Sequence, residues 1–228
     1  MMKKISAALA LVTLVGAASA QAATIEFDAS KALATTNWTD TLSFGKFDSR
    51  LGTLNSIKFV LDGSVSGSGR AESLDGSATN VTLSLASMLT LKRPDGSTLV
   101  VTNPVFAAGH DVSSFDGTID FGGASGWSTG VVASSASNSF MTANAADFSL
   151  FSTAGGGMID LDLQAAGNST GTGAGNLITQ FTTSAGANVK VVYDYTALPV
   201  PEPETYGMML LGLGLIGAVA RRRTARAA

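Results

Sequence analysis

Alternation of apolar and polar residues is the main periodic signal along this chain, and a period of two is the mark of a half-buried strand. Trp38-Thr39-Asp40-Thr41-Leu42-Ser43-Phe44 places Trp38, Leu42 and Phe44 on one face. Ile57, Phe59 and Leu61 alternate with Lys58 and Val60, and Val81-Thr82-Leu83-Ser84-Leu85 repeats the pattern. Leu89-Thr90-Leu91 leads into Arg93-Pro94-Asp95-Gly96, a turn sequence, and residues 98–102 lead away, which predicts a hairpin. Further strand-like runs are 118–121, 148–151, 158–163 and 189–196. Four Asp-Gly pairs stand among these runs, at Asp62-Gly63, Asp75-Gly76, Asp95-Gly96 and Asp116-Gly117. Gly takes positive φ without penalty and Asp tolerates it, so each pair predicts a turn. The spacing predicts a mostly β fold, an antiparallel β-sandwich of about ten strands. The Ala/Ser/Asn-rich stretch 133–147 has room for one short helix, and 155–157 and 167–175 read as loops.

Both ends break this pattern. Lys3 and Lys4 precede an apolar run from Ile5 to Val15, and small residues follow. That order is a secretory signal peptide, predicted as a helix over residues 1–23 with cleavage after Ala20 or Ala23. At the other end, Val200-Pro201-Glu202-Pro203-Glu204 holds two prolines two residues apart, which predicts an extended, exposed segment. Residues 206–220 carry no charge, and Arg221, Arg222, Arg223 and Arg226 come together after them. A helix of fifteen residues rises about 22 Å, short of a hydrocarbon core of roughly 30 Å. The expectation is a transmembrane helix over 206–220 that anchors weakly, its shortfall met by snorkelling arginines and local thinning. Clustered arginine favours the cytoplasmic side, and the signal peptide sends the preceding chain outward. Both signals give one topology, with the core outside and Arg221, Arg222 and Arg223 inside. Three segments follow: a signal peptide at 1–23, an exported β domain at 24–197 and a sorting tail at 198–228.

The tail resembles the PEP-CTERM sorting signal of Gram-negative bacteria in Pro201, Glu202 and Pro203, the apolar stretch and the terminal arginines. That resemblance implies export through the Sec machinery, transient membrane anchoring and cleavage near Pro-Glu-Pro by a membrane-embedded exosortase. It further implies release or transfer to the cell surface, often beside exopolysaccharide.

Composition narrows the domain between the ends. The chain has a net charge of −3 with 14 Lys and Arg. Six of those cations are Lys3, Lys4 and the four terminal arginines, so the core is more acidic than the whole chain. Nucleic-acid binding, which needs a basic patch, is not expected. With 0 Cys, thiol catalysis, disulfides and cysteine-based metal sites are excluded. Glycine numbers 26, and acidic residues are mostly Asp, which favours turns over helices. The stretch Phe47-Asp48-Ser49-Arg50-Leu51-Gly52-Thr53-Leu54 with residues 57–67 is similar to the opening of the choice-of-anchor E domain. Asn80–Leu91, Pro94-Asp95-Gly96-Ser97 and Val191-Val192-Tyr193-Asp194-Tyr195 are similar as well. This resemblance implies an exported domain with no known enzyme activity and no site residues to carry over.

Several chemical patterns remain. Gly126-Trp127-Ser128-Thr129-Gly130 matches the nucleophile elbow, which needs a strand before it, a helix after it and a later His. His110, the lone histidine, precedes it and reads as a loop residue. Gly212-Leu213-Gly214-Leu215-Ile216-Gly217 matches a dinucleotide fingerprint but lies in the apolar tail without the required acid beyond it. Asp160 and Asp162, two apart on one strand face, are weak Ca²⁺ candidates; a solvated sheet face is the alternative. One His and no Cys cannot build a zinc site, and no cofactor is expected. Trp38, Trp127, Tyr193 and Tyr195 can either stack on sugar rings or pack in the core. The expectation is a non-enzymatic surface or biofilm-matrix protein. The alternative is a carbohydrate-binding module holding matrix polysaccharide, and the third possibility is a secreted hydrolase.

Overall fold

The computed structural model describes residues 22–198 and 203–224. The expected signal peptide lies outside the described residues apart from Ala22 and Ala23. Ala22–Thr196 forms one compact unit, and the tail belongs to another.

Most described residues of the compact unit are in strands, as the alternation predicts. The first sheet is built on β4 (Gly52–Ser73), whose neighbours are β13 (Leu177–Ala197) on one edge and β8 (Gly126–Ser128) and β9 (Val132–Thr142) on the other. β1 (Ala22–Thr35) completes it by pairing antiparallel with β13. The second sheet is built on β5 (Thr79–Lys92). β6 (Thr98–Thr102) and β7 (Val105–Val112) pair with successive parts of β5, as do β11 (Met158–Gly167) and β12 (Thr170–Thr172). β2 (Trp38–Gly45) lies beyond β11. These pairings are antiparallel; a small parallel pair joins β3 (Phe47–Asp48) to β10 (Ser152–Thr153).

Inward side chains of both large sheets share one core. Leu42, Phe44, Leu89, Leu91 and Leu161 come from the second sheet, and Ile57, Phe59, Leu61, Val191 and Tyr193 from the first. Each large apolar side chain buried in this way contributes about 1.5–3 kcal/mol. A smaller cluster of Ala71, Val81, Leu83 and Val112 lies under Trp127 and Phe181.

Thirteen strands stand among the described residues, against about ten expected. The difference comes from short pieces, since β3, β8, β10 and β12 are each two or three residues long. Pieces that short carry no alternation to read. The hairpin at Arg93–Ser97 is as predicted, with Arg93 and Ser97 bonded across it and Gly96 at φ 83°. Asp62-Gly63 is a correction: it lies in the middle of β4. A Cβ on Gly63 would meet Leu89 and Thr102 of the facing sheet within 2.6 Å, so this glycine serves close packing, not a turn.

Residues 148–151, expected as a strand, belong to α1 (Ala145–Phe151). The Asn144 side chain accepts the Asp147 N–H at 2.7 Å and caps that helix. Phe148 and Phe151, three apart, then turn one face to the core. The helix therefore begins in the last three residues of the stretch 133–147 and runs beyond it, and most of that stretch is β9. Residues 118–121 form no strand. Their loop is shaped by carboxylates instead: Asp116 accepts from Thr118 and Ala124, Asp120 from Gly122, and Glu72 from Phe121.

Candidate functional site

α2 (Pro203–Thr224) opens on Pro203, where a missing N–H costs nothing. Pro201 and Glu202 of the sorting motif lie outside the described residues. α2 takes in the predicted apolar segment 206–220 and Arg221, Arg222 and Arg223. Leu210, Leu211, Leu213, Leu215 and Ile216 are all more than half exposed. The expected transmembrane helix over 206–220 is not confirmed. Among the described residues no helix is long and apolar enough to cross a membrane. All six residues of the Gly212–Gly217 fingerprint sit inside this helix, not at a turn from a strand into a helix.

The compact unit ends beside its beginning. Ala22 pairs with Thr196, Ala23 with Tyr195 and Thr24 with Asp194.

Asp160 and Asp162 share an outward face of β11, as the spacing predicts. Both are engaged by the neighbouring strand: Ser43 donates to Asp160, and Thr41 donates to Asp162 at 3.2 Å. Lys92 lies opposite Asp162 on the other side. Among the described residues no group of three or more His, Asp or Glu is placed to hold a metal ion.

The four aromatic candidates do not form one platform. Tyr193 is fully buried and donates its hydroxyl to the Gly45 carbonyl at 2.9 Å. Burial pushes that hydroxyl well above the ordinary tyrosine pKa. Tyr195 packs on Phe47 with ring centres 5.0 Å apart. Trp38 donates its indole N–H to the Ala185 carbonyl at 3.3 Å and lies under the Lys31 ammonium. Trp127 stacks on His110 at 5.3 Å, so one indole face is already covered. His110 itself is on β7, not in a loop.

Ser128 of the elbow pattern ends the edge strand β8 and accepts from Gly130 N–H at 3.3 Å. A helix does not follow; the next element is β9. The strand–turn–helix context of a nucleophile elbow is absent there.

Two polar arrangements escaped the sequence reading. Arg93 grips Asp147 through two bonds of 2.8 and 3.1 Å, and Asp147 is 4% exposed. Burial opposes ionisation of Asp147, and the bonds and charge of Arg93, helped by Asn144, outweigh it and hold the carboxyl below its ordinary pKa. Glu72 is fully buried and accepts from Ser125 Oγ at 2.6 Å and from Phe121 N–H at 2.7 Å. The signal for the first was the Asn144-x-x-Asp147 cap; Glu72 had none, because its partners lie about fifty residues away.

Comparison with known proteins bears on the tail. No curated protein matches the chain. Among solved structures, the VP2 subviral particle of infectious bursal disease virus is 13% identical over 85% of this chain and 42% of its own, with a TM-score of 0.21. Mud crab tombus-like virus gives 9% identity over 92% and 99%, with a TM-score of 0.18. The chain thus spans less than half the length of the first, and TM-scores this low establish no common fold. A family model described as the PEP-CTERM protein-sorting motif matches residues 199–223. That motif indicates an exported protein, transiently anchored in the membrane and processed by an exosortase.

Proposed function

We propose that this chain is a non-catalytic surface or extracellular-matrix protein whose tail is a temporary anchor. The observation that carries the reading is the match over residues 199–223, where Pro-Glu-Pro, an apolar helix and clustered arginines follow in order. The short apolar centre supports a transient anchor: what is awkward as a permanent span is suited to a segment that is cut away. The arginines hold the helix end at the cytoplasmic face, and the exosortase cuts in the segment around Pro201, Glu202 and Pro203.

The signal peptide is removed after Ala20, because a cut after Ala23 would strip two residues from the β1–β13 ladder. The compact unit is a choice-of-anchor E-like domain, a two-layer β-sandwich. Its delivery to the exopolysaccharide-rich matrix rests on the sorting tail alone. A hydrolase is disfavoured by the edge-strand setting of Ser128, and model esters or peptides left unturned by the purified protein are the expected result.

Replacing Pro201, Glu202 and Pro203 with alanine tests the reading. The expected outcome is uncleaved precursor in the membrane fraction. Normal release of mature protein from that variant would overturn it.

A further inference from the structure

Where β1 turns into β2, an open pocket of about 440 Å³ lies between the two sheets. That volume is within the ~300–1,000 Å³ of small-molecule sites. Its lining has one chemical character. Thr35, Thr36, Ser169, Thr182 and Thr183 bring hydroxyls, Asn37 an amide and Phe181 an aromatic ring; none of the lining residues is ionisable.

The pocket is framed by bonds that fix its shape. Thr36 N–H and Oγ1 both donate to the Thr183 carbonyl, at 3.0 and 3.2 Å. Ser169 Oγ and Thr183 Oγ1 are 3.0 Å apart. Asn37 sits at φ 70° and accepts the Gly167 N–H at 3.1 Å, which spends its carbonyl. Left-handed backbone is tolerated by Asn more readily than by most residues. Gly167 keeps the wall open, since a Cβ there would lie 2.7 Å from Thr36 Oγ1. Phe181 rests on the smaller core cluster and is partly exposed.

The remaining polar groups are free to take a ligand. Among the described residues, the hydroxyls of Thr35 and Thr182 and the Asn37 amide nitrogen make no hydrogen bond to protein. Both threonines and Asn37 are exposed. Hydroxyls donate and accept, and the amide nitrogen donates. An anion would find no cation among these residues, and a metal ion no carboxylate. An apolar ligand would strip water from the hydroxyls without replacing their bonds. A neutral polyhydroxylated ligand satisfies all of them, and its C–H face can lie on the Phe181 ring.

We infer that this pocket is a binding site for a neutral saccharide unit. The inference gives the carbohydrate-binding alternative a location whose lining includes neither tryptophan. It concerns the compact unit only and does not depend on how the tail is processed, so a normal or failed result in the Pro-Glu-Pro variant leaves it unaffected.

The test uses the full chain in detergent, titrated calorimetrically with neutral gluco-, manno- and galacto-oligosaccharides and with oligogalacturonate. Thr35→Val and Thr182→Val each remove a free hydroxyl and keep the side-chain shape, and neither touches a bond that frames the pocket. At least one neutral oligosaccharide is expected to bind, each variant weakening it roughly fivefold or more while the melting temperature holds. Thr79→Val, outside the pocket, is expected to bind as the parent does. Three outcomes would overturn the inference: no neutral oligosaccharide binds, binding survives both pocket variants, or oligogalacturonate binds more tightly than every neutral probe.

Discussion

Tyr193 joins two requirements that a sequence treats separately, an apolar ring and a polar tip. Its ring meets Phe27 and Phe47 in the core, and its hydroxyl reaches the buried Gly45 carbonyl. Tyr193→Phe is expected to lower stability by about 1 kcal/mol in denaturant unfolding. The folded pKa is raised, so the stabilising contribution is full below the unfolded value of ~10 and fades as pH rises toward the folded one. The parent is therefore expected to lose stability above pH ~10 more steeply than Tyr193→Phe. Arg93 and Asp147 behave in the opposite sense. The Asp147 pKa is lowered, so its contribution is present above ~3.9 and lost as pH falls through the folded value. Arg93→Ala leaves a nearly buried carboxylate alone, and a loss of about 3 kcal/mol at neutral pH is expected by chemical denaturation. The variant's acid limb should also be flatter, because the paired state that protonation destroys is already gone.

Among the elements, β4 shows where pattern reading succeeds and where it stops. The alternation of Ile57, Phe59 and Leu61 was legible, and those side chains are buried as expected. The length of β4 was not, because Asp62-Gly63 reads as a turn in isolation. Its glycines answer to neighbours far away in sequence. A Cβ on Gly67 would lie 1.9 Å from the Thr182 carbonyl oxygen on β13. Gly67→Ala must therefore push backbone apart, and a cost of about 2–3 kcal/mol is expected in thermal or denaturant melts. α1 makes the same point in reverse. Phe148 to Phe151 looked like a strand, yet the Asn144 cap and a three-residue spacing of phenylalanines suit a helix. The aromatic candidates divide likewise: residue type was legible, but whether Trp38 or Trp127 faces a ligand depends on Ala185 and His110, which are remote in sequence.

At the scale of the whole molecule, the first strand pairs with the last, from Ala22↔Thr196 to Thr35↔Ser184. Such a fold cannot close until its C-terminal strand is available, so refolding in the millisecond-to-second range is expected in stopped-flow experiments. The compact unit is complete by Thr196. A chain ending at Leu198 is accordingly expected to melt within about 2 °C of the full chain by calorimetry, because no core residue is lost. A large drop would show that the tail contributes to the fold. The tail remains the feature most open to reading from sequence. A proline pair, an apolar run and clustered arginine act through local backbone restriction, hydropathy and charge, which depend on neighbours in the chain. The β class, the β5–β6 hairpin and the inward set of β4 were legible for the same reason. The tertiary structure alone decided which carboxylates are spent on loop backbone, which glycines make room for a facing sheet, and which hydroxyls remain free at the β1–β2 turn. Glu72 and Phe121, Gly67 and Thr182, and Thr36 and Thr183 meet across 49 to 147 positions of chain, and no local pattern encodes such a partner.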